Sequence, residues 1–365
     1  MTLGYHSPMP PARTGVADYS AALVRALRDA GVDVAVNPTH PCDREIYHIG
    51  NNPAHAPIYA RALDRPGVVV LHDALLHHFF LGRGSEQQYV EEFVYNYGSW
   101  TRGLAEELWR GRARSGQDAI YFAYPMLRRL VERSRVVVVH NPAAAATAKA
   151  HHAARIVEIP HLLEPIPEPP GYAVECLRAQ WALPPNGCVF AIFGHLRESK
   201  RVHTVLNAFE RLADQHSVRL LVAGDCVSSD LARALDARLR HPHVLRKPYL
   251  SESDFWLHAA AVDVCINLRY PSAGETSGIG IRLMGLGKPV IVTAGPEVSR
   301  FPPNTVIPVD SGLAEEEMLL CAMQALAAAP IAARHLGQAA KTFVSTHHSP
   351  NLAAQGLLSS LVDYN

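Results

Sequence analysis

Hydrophobic residues along this chain fall into short uninterrupted runs. Between them lie longer stretches in which apolar positions recur three or four residues apart. The first run, LGYHS, precedes GVADYSAALVRALRDAG, where Val16, Tyr19, Leu23, Ala26 and Leu27 repeat at roughly helical spacing and Gly31 marks the end. VDVAV, EIYHIG, GVVVLHD and RVVVVHN continue the strand-type series. Between the last two lies a long helical region, about residues 85–133, carrying Tyr89, Phe93, Tyr97 and Trp100. The segment PHLLEPIPEPPGY, residues 160–172, then holds five prolines. Proline fixes φ and removes a donor, so this segment predicts a semi-rigid connector. The alternation restarts with CVFAIFG, RVHTVLNAFERLADQ, VRLLVAG, DLARALDARLR, HVLRKPY, SESDFWLHAAA, VDVCINL, GKPVIVT and NTVIPVD. Strands interleaved with helices predict an α/β protein with parallel sheets and right-handed crossovers. The expected organisation is one domain over 1–162, a linker over 163–172, a second domain over 173–345, and a C-terminal helix over 346–365 that packs back toward the first domain. In open parallel sheets ligands bind at the carboxyl ends of the strands, so the loops after each strand carry the candidate chemistry.

The length of 365 residues suits two domains, and a hydrophobic share of 48% gives each a sizeable interior. Lys+Arg and Asp+Glu are equal at 34 each, which argues against a global pull toward nucleic acid. Cys42, Cys176, Cys188, Cys226, Cys265 and Cys321 lack CxxC spacing and read as buried thiols of a reducing compartment. The start MTLGYHSPMPP lacks a charged segment followed by an apolar signal core, and the apolar runs are too short to cross a bilayer. A cytoplasmic protein is expected, with peripheral membrane contact left open.

Four stretches carry candidate chemistry. PMPPARTGVADYS, residues 8–20, is a stiffened loop leading into a helix near Gly15; it suits an anion at the helix N-terminus, or serves as an ordinary β–α turn. GVVVLHDALLHHFF, residues 67–80, places His72 and Asp73 at a strand end and His77 and His78 at a helix start. The spacing fits no common metal motif, so metal is not expected. The histidines either satisfy backbone groups or orient hydroxyls of a polar ligand. FGHLRESKRVHTVLNAF, residues 193–209, brings Arg197, Lys200 and Arg201 to a helix N-terminus, where cations oppose the dipole. That placement makes sense if an anion is held there; the alternative is a solvated basic turn. Finally, RYPSAGETSGIGIRLMGLGKPVIVT sets Glu275 among small residues. Thr276, Ser277 and Gly278 let backbone amides approach an anion, while Glu275 would accept hydrogen bonds from hydroxyls. A nucleotide sugar has both parts.

In this order, these stretches together with YHIGNNPAH and IVEIPH resemble the retaining glycosyltransferases of family four. The resemblance spans nearly the whole chain. It implies the GT-B fold: two Rossmann-like parallel-sheet domains facing each other across a cleft, the first holding the acceptor and the second the nucleotide-sugar donor. It implies catalytic roles for His72, Lys200 and Glu275. Donor contacts are implied for Gly15, Arg197, Arg201, Thr276, Ser277, Gly278 and Arg282, and acceptor-side contacts for Asn51, Asp73 and His77. The family's usual arginine falls at His195, leaving Arg197 or Arg201 to supply the second charge. Many members carry a second glutamate that holds the ribose; the corresponding position here is Arg282 or Leu283, so the resemblance does not fix the nucleotide, and Arg282 is expected either to reach donor phosphates or to stabilise the loop. The implied reaction moves a sugar from a UDP-, GDP- or dTDP-sugar to a carbohydrate-type hydroxyl with retention, without metal or other cofactor. A non-catalytic sugar-nucleotide-binding subunit and a nucleotide-sugar epimerase are the alternatives.

Overall fold

Seven valines and a leucine of two parallel strands show how the first sheet is built. Val68 and Val70 face one core, while Val69 and Leu71 face another. Val136 and Val138 alternate with Val137 and Val139 in the same way. A parallel strand covered on both faces reads as an unbroken apolar run, which is why these strands were legible from sequence. The computed structural model describes residues 2–12, 14–183 and 187–362. Arg13 of the first candidate loop and the last three residues of the C-terminal segment lie outside the described residues.

Two compact units are present. The first comprises Met1–Glu164, Pro271–Gly278 and His347–Asn365; the second comprises Pro165–Tyr270 and Ile279–Thr346. The first unit's sheet contains β1 (Thr2–His6), β2 (Asp33–Val36), β3 (Arg44–Ile49), β4 (Val68–Leu71), β5 (Val136–Val139) and β6 (Ile156–Glu158). All pairings are parallel, in the order β2-β1-β3-β4-β5-β6. The direction of winding reverses at β1/β3, which makes the carboxyl ends of those strands the expected ligand position.

One face of this sheet is covered by helix Gly15–Asp29 and by helix Pro350–Val362 from the end of the chain. Leu23 and Leu27 share a core there with Ala353, Ala354 and Leu357. Gly356 lies against Ile159, whose side-chain carbons would come within 3.3 Å of an added Cβ. The other face carries Glu86–Tyr97, Arg102–Arg110 and Arg128–Arg133, three helices where one long helical region was expected. The first of them stops at Gly98, which adopts φ 97°, a conformation that disfavours any other residue. Trp100, just past that break, is therefore 83% exposed, whereas Tyr89 and Phe93 are core.

The second sheet contains β7 (Cys188–Phe193), β8 (Val218–Ala223), β9 (Val244–Lys247), β10 (Val264–Asn267), β11 (Val290–Thr293) and β12 (Ile307–Val309). Its order, β12-β11-β10-β7-β8-β9, is the doubly wound arrangement with the reversal at β7/β10. The expected second domain ran continuously from 173 to 345; in the structure the segment Pro271–Gly278 within it groups with the first unit. Among the described residues no single helix is long and apolar enough to cross a membrane.

Candidate functional site

In the second unit, the loop leaving β7 at the sheet reversal delivers Lys200. The chain turns at Gly194 (φ 81°), and a short 3-10 turn, Glu198–Lys200, folds the lysine back beneath the strand end. Its Nζ donates to the Phe193 carbonyl, and the residue is only 7% exposed. Burial, then the charges of Arg269 and Arg197, hold its pKa well below the usual lysine range. Arg269 follows β10 on the other side of the reversal and anchors its own amide on Thr293 Oγ1 at 2.9 Å. A buried lysine under the charge of two guanidinium groups is an unfavourable arrangement by itself. It favours an incoming anion.

Arg201 was expected to join this group, and the structure corrects that. Its backbone is left-handed (φ 55°), and its Nε donates to Glu315 Oε2 at 2.8 Å. Glu315 is 3% exposed and also accepts from Thr204 at 3.4 Å. A buried carboxylate neutralises Arg201, so its charge is committed to the fold. Arg197 remains as the exposed cation beside Lys200. Arg282 is also engaged. It pairs with Glu252 and stacks on Phe255 and Trp256, at 4.1 and 4.5 Å from their ring centres. Trp256 Nε1 donates to the same Glu252 oxygen at 2.8 Å. This is a clamp between helix Gly278–Gly285 and helix Glu252–Ala261, which fits the loop-stabilising alternative for Arg282 better than a phosphate contact.

In the first unit the carboxyl ends of the central strands bring together a cluster of rings. His48 Nδ1 and His72 Nε2 lie 2.9 Å apart, one donating to the other. The Tyr19 ring, from helix Gly15–Asp29, sits 4.9 Å from His72, 5.3 Å from His140 and 5.0 Å from His161. His140 follows β5 and donates from Nδ1 to the Ile159 carbonyl at 2.8 Å; His161 follows β6 and donates to its neighbour Leu162 at 2.9 Å. Burial lowers the whole group. His140 falls to about 4 and His161 to about 3, while His48 and His72 fall well below the ordinary histidine range through burial and then the neighbouring rings. These imidazoles are neutral near pH 7, so they act as hydrogen-bonding groups rather than cations.

The expected acceptor-side residues divide differently. His77 is 0% exposed, with Nδ1 on the Tyr124 carbonyl at 3.1 Å and Nε2 on the Tyr89 hydroxyl at 2.7 Å. Both nitrogens are used, so His77 is a core residue and is withdrawn as an acceptor contact. Asn51 spends its side-chain oxygen on the Phe79 amide at 2.9 Å and its NH2 on His78 at 3.2 Å, while its own amide donates to Asp73 at 2.7 Å. Asn51 and Asp73 therefore shape the turn after β3. Gly15 opens its helix behind the N-cap Thr14, whose hydroxyl accepts from Ala17 N at 3.1 Å.

The glutamate loop belongs to this unit. Asn141 Nδ2 donates to the Gly274 carbonyl at 2.9 Å and to Thr276 Oγ1 at 3.0 Å. Thr276 in turn donates to the His140 carbonyl at 3.3 Å. Glu275 accepts from Ala273 N at 2.8 Å, and an added Cβ at Gly278 would come within 3.3 Å of the His161 ring. Glu275, Thr276, Ser277 and Gly278 thus share a unit with His72, while Lys200, Arg197, Arg201 and Arg282 belong to the other. Sequence reasoning missed His48, His140, His161, Tyr19, Asn141 and Arg269 as members of these groups. The signal was present: His140, Asn141 and Arg269 all sit in the first residues after a strand.

No model of a protein family matches the chain, and no curated protein matches it by sequence. Solved structures do. Sucrose-phosphate synthase from Thermosynechococcus elongatus matches with a TM-score of 0.68 at 15% identity, covering 100% of both chains. HepE from Anabaena in complex with UDP-glucose matches at 0.64 and 12%, again over 100% of both chains. WaaG, a glycosyltransferase involved in lipopolysaccharide biosynthesis, matches at 0.61 and 14%, covering 97% of this chain and 99% of that one. The likeness shows a common fold, the GT-B architecture of two Rossmann-like domains expected from the sequence.

Proposed function

We propose that this chain, folded like sugar-transferring enzymes, is itself a glycosyltransferase of the family-four type. In this reading it takes a nucleoside-diphosphate sugar and moves the sugar to an acceptor hydroxyl with retention of configuration. The observation that carries the proposal is Lys200: a buried lysine at the β7/β10 reversal whose pKa is lowered by burial and by two arginines. An anionic ligand would relieve that repulsion. The solved HepE structures contain UDP-glucose or UDP and glucose, which makes a uridine donor the first to try.

The roles follow from chemistry. As the glycosidic bond breaks, negative charge develops on the leaving diphosphate, and Lys200 and Arg197 stabilise it. Glu275 accepts hydrogen bonds from hydroxyls of the transferred sugar. His72, neutral and oriented by His48, offers a hydrogen bond beside the reacting sugar. No carboxylate pair for double displacement is invoked. Side chains and amides, rather than a metal ion, meet the diphosphate charge, so turnover in EDTA should equal turnover without it.

The test is a thermal-shift screen against UDP-, GDP- and dTDP-sugars. A ligand at a hundred times its dissociation constant stabilises by about 2.7 kcal/mol. Nucleotide release is then followed with and without pools of carbohydrate acceptors, and the product anomer is read by NMR. Stabilisation by one donor with acceptor-dependent release supports the proposal; no shift with any of them refutes it. A second reading, a sugar-nucleotide-binding subunit without turnover, is favoured by Arg282, which is bound to Glu252 where a ribose-holding carboxylate was sought. It predicts binding without release. An epimerase would consume the donor without acceptor.

A further inference from the structure

We propose that Asn141 is a positioning residue that fixes the glutamate loop through its side-chain amide; this rests on the role of Glu275 given above. Asn141 follows β5 directly and is 2% exposed. Its Oδ1 accepts from Ala144 N at 2.9 Å and caps helix Pro142–Ala150. Its two Nδ2 protons have separate destinations: the Gly274 carbonyl at 2.9 Å and Thr276 Oγ1 at 3.0 Å. These are the residues immediately before and after Glu275. One buried amide therefore holds both flanks of the glutamate.

The cap alone does not require asparagine. Asp, Ser and Thr cap helices about as well, but none of them offers an NH2. The donor pair is the property unique to Asn here, and the loop uses both donors. The loop's own backbone fits the same picture. Gly274 has φ 71°, and a Cβ there would lie 2.8 Å from that of Ala74, so the chain is pressed against the turn after β4. Gly274 N donates to Ser272 at 3.0 Å and Ala273 N to Glu275 at 2.8 Å. Thr276 extends the clamp by donating to the His140 carbonyl. The carboxylate position is thus set by a residue 134 positions earlier in the chain than Glu275 (275 − 141).

Asn141→Asp keeps the cap and removes both donors; Asn141→Ser also keeps the cap, adds no charge, and leaves one short hydroxyl donor where the amide had two. Hydrogen exchange of the intact chain is measured over residues 271–278 and, as an internal control, 142–150. Both variants should exchange the loop amides at least about tenfold faster while the helix is unchanged, because the cap persists. With UDP-glucose as the probe donor, sugar release should fall about tenfold or more, while UDP alone binds as it does to the unaltered chain. Unchanged loop exchange in both variants overturns the proposal. Faster exchange with unaltered turnover shows a clamp without a positioning role and overturns it as well. Glu275→Gln separates the two claims. Full turnover in that variant removes the role of the glutamate and leaves the exchange result to decide the clamp; lost turnover beside unchanged exchange in Asn141→Asp refutes the clamp alone.

Discussion

Replacing Lys200 with Met should move activity and stability in different directions. Met retains the length and apolar stem of lysine but carries no charge. In the folded protein Lys200 is 7% exposed and its pKa is held down by burial, Arg269 and Arg197. The native state therefore binds fewer protons than the unfolded chain between that lowered pKa and the ordinary lysine range. Stability contributed by this site rises with pH across that window. The Met variant should lose this slope and be at least as stable at pH 7. Transfer should suffer. A donor aimed at developing charge in a water-poor site contributes about 3–4 kcal/mol, and Lys200 is buried enough to lie in that range. At about 1.36 kcal/mol per decade this is a fall of roughly 150- to 900-fold in turnover. The assay is nucleotide release at saturating donor and acceptor, beside urea denaturation at pH 7 and pH 9. Turnover within threefold of the unaltered chain in a folded Met variant would remove Lys200 from the reaction and with it the observation on which the proposed function stands.

Three further outcomes are expected. Arg201→Ala strands the Glu315 carboxylate at 3% exposure and should destabilise by about 2–3 kcal/mol, less than a fully buried pair because Arg201 is itself partly exposed; nucleotide affinity measured by calorimetry should change less than threefold, and a tenfold loss would restore Arg201 to the donor site. Acid should weaken the first unit. His140, lowered to about 4, binds fewer protons when folded than when unfolded, so its contribution is complete above pH 6.5 and is lost as pH falls toward 4. At pH 5 this amounts to about 2 kcal/mol, and urea midpoints that do not fall between pH 7.5 and pH 5 would contradict the buried-ring account. Glu275→Gln should weaken use of the sugar nucleotide more than binding of the free nucleotide; equal losses in the two titrations would make the acid structural.

Much of the fold was legible because it is local. Parallel strands covered on both faces are unbroken apolar runs, and VVVL and VVVV state this without reference to any partner. The same holds for helix Gly15–Asp29, whose cap and apolar stripe lie within its own sequence. The break at Gly98 was hidden because aromatic spacing continued through it. The three-residue β6 at the sheet edge was too short to announce itself.

The candidate site divides along the same line. Residue types after strands could be read one at a time, so Lys200, His72 and Glu275 could be named as candidates. What each is bonded to depends on residues distant in sequence. Arg201 meets Glu315 across 114 positions, His77 meets Tyr124 across 47, and Asn141 meets Thr276 across 135. Periodicity reports which face of an element is buried, and strand order reports where loops gather. Only tertiary packing decides whether a charge placed there is cancelled by a buried partner, as in Arg201, or crowded by like charges, as in Lys200.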